Sequence, residues 1–330
     1  KATMSQSQFE REFGALFTDD SSGYFKTSRM AVCTVKDGED PHVEIKGQPE
    51  DEYILCFDPS WSESESSDDF AMQILKYHKH NGTSTLVHSY AISGTPLRDH
   101  IFYFHYLIKS FNIIAIVGDY NGGVQFINAV NESQLFKSEN IKIKTIEGDF
   151  DKMDSYKDEL RIAKQQYNKK NYQYLILRKP TSDWIRRANE LLQANFDHKR
   201  LLFGSRAIDE AYNKQRAKVI PIGKLKFLRL SEEEMKQSNQ AKMIDFIEHQ
   251  YDMINMTKNQ CALIQITTSP QGTQTFGLPT ELRRQTGPDK ARKDSYSALV
   301  LGSWMTKIFY DMNNVKKENV ASTFSPMFIG

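Results

Sequence analysis

Three observations predict an α/β fold for this chain. Tyr53-Ile54-Leu55-Cys56-Phe57 and Phe111-Asn112-Ile113-Ile114-Ala115-Ile116-Val117 are short apolar runs of β-favouring residues, the pattern of strands buried on both faces. Helical patterns over 97–110 and 123–136 alternate with strand patterns after residue 92. Each of the two core runs is closed by an acid, Asp58 before Pro59 and Asp119 after Gly118.

Taken in order, residues 5–17 carry Phe9, Phe13, Leu16 and Phe17 at helical spacing, and Ser7 is a plausible cap. Tyr24–Val35 is expected to be extended, and Asp37–Asp51, with Gly38, Pro41, Gly47 and Pro49, to be a connector. From Glu52 the order reads strand (53–58), strand (70–77), strand (84–92), helix (97–110), strand (112–118), helix (123–136), strand (141–146). Thr95-Pro96 starts the first of these helices. The charge-rich stretch 147–171 reads as a solvated helix, with a nucleic-acid-facing role as the alternative.

A strand over Tyr172–Leu177, a helix over Ser182–Phe196, a short strand over Arg200–Gly204 and a helix near Ala207–Arg216 follow. Glu232–Met256 is a long helix with Met235, Met243, Phe246, Ile247, Tyr251 and Ile254 inward. Cys261–Thr267 and Thr273–Leu278 flank Ser269-Pro270-Gln271-Gly272, a hairpin signal. An apolar helix then begins near Asp294 and carries Ala298, Leu299, Leu301 and Trp304.

Composition narrows the function classes. The 330 residues are 39% hydrophobic and 26% charged, as in folded chains. The formal net charge is +1, so any nucleic-acid binding has to come from local basic patches. Cys33, Cys56 and Cys261 lie far apart and form neither a disulfide framework nor zinc spacing, so a reducing compartment is expected. No signal peptide is recognisable, and no apolar run is long enough to span a bilayer. Lys1 in place of a methionine is read as a sign of an excised domain or a processed product. Neither a dinucleotide fingerprint nor GxxxxGK[ST] occurs, which excludes a nucleotide-hydrolysis motor within this stretch.

The acids carry the candidate chemistry. Burying a carboxylate at the end of a core strand is costly without a compensating cation or donors. Asp58 ends one strand and Asp68-Asp69 opens its neighbour, which brings acids near each other as a hard-metal site needs. The plain alternative is an ordinary turn and a solvated loop end. Asp119 stands before Asn121-Gly122-Gly123 and a helix, at the edge where open α/β sheets bind ligands. Asp294 is also placed where an acid caps a helix. Around it crowd Arg283, Arg284, Lys290, Arg292 and Lys293, either solvated loop charges or a phosphate-guiding rim.

The segments FDPSWSESESSDDFAMQIL, IIAIVGDYNGGVQFI and KDSYSALVLGSW, in this order, resemble the C-terminal nuclease domain of tailed-phage terminase large subunits, the DNA-packaging motors. The lead-in SQFEREFGALFTDDSSGYF resembles the segment joining the motor's ATPase half to its nuclease half. The resemblance covers residues 5–30, 52–146 and 289–305. It implies a ribonuclease H-like (RuvC-type) mixed central sheet flanked by helices, with an inserted helical region and a β-hairpin. Its expected organisation is a lead-in from an ATPase domain (1–50), a nuclease domain (51–315) with family-variable insertions (147–288), and a tail (316–330).

The activity implied is metal-dependent endonuclease cutting of concatemeric double-stranded DNA through two Mg²⁺ or Mn²⁺ ions. Asp58, Asp119 and Asp294 would be the ligands, Asp69 the auxiliary acid, and Asp68 would face solvent. Asp119 stands where several relatives carry glutamate. Lys293 stands where many carry a second acid, which makes it a candidate electrostatic partner of the site. Implied partners are the ATPase domain of the same polypeptide, a portal protein and a small terminase subunit, without a membrane, in the host cell cytoplasm. The rival readings are a junction-resolvase or transposase-like nuclease of the same fold, and a non-catalytic DNA- or portal-docking module.

Overall fold

In the computed structural model, which describes residues 23–145, 156–167, 174–206, 239–287 and 290–321, the run Tyr53–Phe57 lies at the centre of a seven-stranded sheet. Three strands form an antiparallel meander: β1 (Glu52–Asp58), β2 (Phe70–His78) and β3 (Thr83–Ile92). Helix α2 (Leu97–Ser110) then returns the chain to β4 (Ile113–Asp119), which pairs parallel with β1. Short strands β5 (Lys144–Thr145), β6 (Tyr174–Arg178) and β7 (Leu201–Phe203) complete the order β5-β6-β4-β1-β2-β3-β7. This mixed sheet, with helices on both faces, is the ribonuclease H-like arrangement expected from the sequence.

Successive strand residues point to opposite faces, so a continuous apolar strand has to be covered on both sides. Tyr53, Leu55 and Phe57 face one core, completed by Phe104 of α2 and by Phe126 and Val130 of α3 (Tyr120–Glu132). Ile54 and Cys56 face the other. That second core is filled by α6 (Ser182–Asp197), α7 (Asn239–Ala262) and α9 (Asp294–Ala321). A short α4 (Gln134–Ser138) follows α3, and α5 (Tyr156–Tyr167) crosses to β6. Helix α9 lies flush on β1 and β2 because of Gly302. A Cβ there would stand 2.3 Å from Leu75 Cδ1 and 2.7 Å from Cys56 Sγ.

Several local expectations differ from the structure. Tyr24–Val35, read as extended, contains helix α1 (Thr27–Val32), which places Met30 and Cys33 on one buried side. The stretch 23–47, read as lead-in and connector, packs on the sheet. Phe25, Val43 and Ile45 are buried, and Thr34 and His42 bridge to Phe203 and Ser205. The charge-rich helix α5 is solvated on one side only, since Glu159 is buried in an ion pair with Arg178 (2.5 Å) and accepts from Trp304 Nε1 at 2.6 Å. The expected helices at 5–17 and 207–216 lie outside the described residues. Cys33, Cys56 and Cys261 are free and buried. Among the described residues no helix is long and apolar enough to cross a membrane.

Candidate metal centre

Parallel pairing of β1 with β4 sets Phe57 beside Gly118, so the next residues of the two strands, Asp58 and Asp119, emerge at one sheet edge. Past Asp119 the chain must turn at once into α3. Gly122 permits this with φ +84°, and Trp61 lies over the turn, 2.9 Å from where a Cβ would stand. The Asp119 carboxylate accepts from the Asn121 N–H at 2.7 Å, which orients it at the start of α3. Helix α9 begins at the same edge. Asp294 Oδ2 accepts from the Asp69 N–H at 2.8 Å, a bond across 225 residues that ties the start of α9 to the entry of β2.

Asp58, Asp119 and Asp294 line one pocket of about 360 Å³. Ser60, Asp68, Lys293 and Ser297 join them, with Trp184 and Asn189 of α6 and Phe276 from the β8–β9 hairpin (Gln265–Thr268, Gln274–Gly277). Ser297 follows Asp294 by three residues on one helical face, a spacing readable in the sequence that our reading missed. Trp184, Asn189 and Phe276 carried no signal of this kind.

The electrostatics are those of crowded anions. Burial pushes the Asp58 carboxyl up to about 8, and the neighbouring Asp294 and Asp119 push it the same way; Lys293 and a hydrogen bond with Ser297 oppose them. Asp119 is raised by burial, against the Asn121 N–H and Lys293. Asp294 is raised by burial, against the Asp69 N–H, while Asp68 adds to the rise.

The remaining predicted residues fall elsewhere. Asp69 does not line the pocket. It is buried, its Oδ1 is 3.2 Å from Arg292 Nε, and its backbone N–H reaches Asp294. Asp68 is largely exposed, yet it lines the pocket and pairs with Lys290 at 2.7 Å. Arg292, read as a DNA-facing residue, is buried as a clamp on the β1–β2 loop. Its guanidinium donates to the carbonyls of Ser67 (3.0 Å) and Glu65 (2.7 Å) and to Ser93 Oγ (3.2 Å). Arg283 closes the short helix α8 (Thr280–Arg283) and Arg284 follows it; both are exposed. Lys293 is exposed at the pocket wall, with Nζ 3.4 Å from Ser297 Oγ.

Three carboxylates offer hard oxygen donors to a hard divalent ion. Their crowding in a partly buried pocket is the feature that such an ion relieves. Among the described residues no group of three or more His, Cys, Asp or Glu side chains stands as a ready-made cage. Asp119 Oδ1 accepts from the Asn121 N–H and Asp294 Oδ2 from the Asp69 N–H, which leaves the second oxygen of each carboxylate for an ion. The donor chemistry fits the group.

No protein-family model matches the chain, and no curated protein matches it. Solved structures do. The large terminase nuclease from thermophilic phage G20c superposes at 10% identity and a TM-score of 0.44, over 84% of this chain and 95% of that one. The Thermus phage P74-26 large terminase nuclease domain does so at 10% identity and 0.42, over 84% and 92%. The HK97 bacteriophage large terminase matches at 9% identity and 0.44, over 86% of this chain and 43% of that one.

Proposed function

We propose that this chain is a metal-dependent endodeoxyribonuclease, the nuclease part of a viral DNA-packaging terminase that cuts concatemeric double-stranded DNA. One observation carries the reading: Asp58, Asp119 and Asp294, from two strand ends and a distant helix start, line a single open pocket at the ligand-binding edge of the sheet. These three would hold the Mg²⁺ or Mn²⁺ ions. When bound, such ions supply an activated water and a stabilised leaving oxygen for phosphodiester hydrolysis.

The chain's own part is positional. The Asn121 and Asp69 N–H groups orient two of the carboxylates, and Ser297 hydrogen-bonds with Asp58. Among the described residues, Lys293 supplies the one ammonium of the pocket wall. The partners that belong to this reading are double-stranded DNA, an ATPase domain of the same polypeptide, a portal protein and a small terminase subunit, in the host cell cytoplasm.

Incubation with supercoiled plasmid tests the activity. Nicking and linearisation with little sequence preference are expected in Mn²⁺ or Mg²⁺, with none in EDTA. Cleavage that survives EDTA would overturn the reading.

A second prediction concerns how a nearly neutral protein holds a polyanion. Arg283 and Arg284 are exposed in the segment between the hairpin and Asp294, and Phe276 of that hairpin reaches the pocket. Contacts from these arginines to phosphate add affinity without sequence information and release counterions. Charge reversal of both should weaken DNA binding and reduce the slope of log affinity against log salt by about two. Equal slopes for wild type and double variant would remove this segment from the DNA path.

A further inference from the structure

We propose that the pocket receives a nucleobase as well as a phosphate: the apolar wall beyond the three acids takes a base turned out of the DNA stack. This rests on the reading of the acids as a phosphodiester centre. It names the form of DNA that the centre prefers, one with a base free to leave the helix.

The pocket follows one face of α9. Asp294, Ser297, Val300 and Leu301 line it at helical spacing, so it extends along the helix for roughly 10 Å at 1.5 Å per residue. The acids stand at its start. Further along, Val300 and Leu301 share the wall with Pro180, Trp184 and Ile185 at the entry of α6 and with Phe276 of β9. Helix α6 packs on both α9 and β9, which brings these side chains together. The Trp184 ring lies 5.6 Å from that of Trp304, ten residues past Asp294, so this aromatic part of the wall belongs to the later turns of α9.

None of these six side chains is ionisable. A phosphate needs cations or several donors, which this wall lacks. The part of a DNA strand that gains from such a wall is the flat face of a base, through apolar burial and ring contact. At about 360 Å³ the whole pocket lies near the small end of the range for bound ligands, roughly 300–1,000 Å³, and suits one nucleotide unit. Two polar neighbours are already engaged: Tyr296 donates to Asn189 Oδ1 at 2.5 Å, and Asn189 Nδ2 donates to the Ile185 carbonyl at 2.8 Å. The Trp184 indole N–H is buried without an acceptor among the described residues. Every base carries carbonyl or ring-nitrogen acceptors, so this donor does not select a sequence. In a paired duplex the base is held inside the stack, and extruding it costs least where it is mismatched or unpaired.

Binding in EDTA separates this inference from catalysis. The probes are two fluorescently end-labelled duplexes of one sequence, one fully paired and one with a single unpaired 2-aminopurine. Wild type is expected to bind the second about tenfold more tightly and to shield its 2-aminopurine from quenching by acrylamide. Ile185→Phe, which adds bulk to the wall at a half-buried position, is expected to lose both effects. Equal affinity of wild type for the two duplexes, a 2-aminopurine left open to acrylamide, or shielding that persists in Ile185→Phe would overturn the inference and leave the nuclease reading intact. No binding of either duplex, or no cleavage of either once Mn²⁺ is added, would overturn the nuclease reading itself and this inference with it.

Discussion

Asp58→Asn is expected to make the metal-free protein more stable at pH 8 and to abolish any stabilisation by Mn²⁺. In the folded chain the Asp58 carboxyl is pushed up to about 8 by burial and by its acidic neighbours, from an unfolded value near 3.8. Between these values the native state holds a proton that the unfolded chain has released. Stability is therefore full below about pH 4 and falls as pH rises towards about 8, by up to about 1.4 kcal/mol per unit. Asparagine carries no such proton, so that part of the slope disappears. A smaller slope from Asp119 and Asp294, raised in the same direction, remains. If the site holds a divalent ion as proposed, the ion is expected to replace the proton in wild type and restore stability at pH 8. Cleavage should fall by on the order of a thousandfold, the scale of several kcal/mol of lost transition-state stabilisation. Thermal unfolding between pH 5 and 9, with and without Mn²⁺, checks this, and parallel curves for the two proteins would sink it.

Arg292→Met is expected to cost about 3–5 kcal/mol of folding stability, the scale for breaking a buried ion pair. The guanidinium faces the buried Asp69 carboxylate and two loop carbonyls, and its removal leaves these groups with fewer compensating donors in a dry place. Arg292→Lys keeps the charge and loses the planar fork, so it should recover only part of the loss. Urea unfolding measures both. A variant with unchanged stability and weakened DNA binding would return Arg292 to the phosphate-facing role its sequence neighbourhood implied.

What the sequence disclosed and what it withheld divide along the range of the interaction. The two central strands were legible because their apolar runs have one physical outlet, burial on both faces, and the acids that close them end at one edge by parallel pairing. The start of α9 was legible from its apolar pattern after Asp294. Side-chain partners were not. Arg283, Arg284, Lys290, Arg292 and Lys293 read alike as one basic cluster, yet Arg292 and Lys290 meet acids more than 200 residues away, while Arg283 and Arg284 remain exposed. No local pattern separates them, since the partner is set by the closed fold. Helix α1 was missed for a related reason: its few buried residues gain from packing on α6 and α7, while its intrinsic helical preference is weak.

The bond from the Asp69 N–H to Asp294 also orders events in time. Its two ends are 225 residues apart, so it forms only after a very large loop has closed. Contacts of such separation are gained late in folding, after the β1–β2–β3 meander, whose pairings are local, is able to form. During synthesis α9 is the last described element to leave the ribosome, long after Asp58 and Asp119. Nascent chains and partly folded intermediates thus carry two of the three acids without the third, and the three-carboxylate pocket comes into being only as the domain completes its fold.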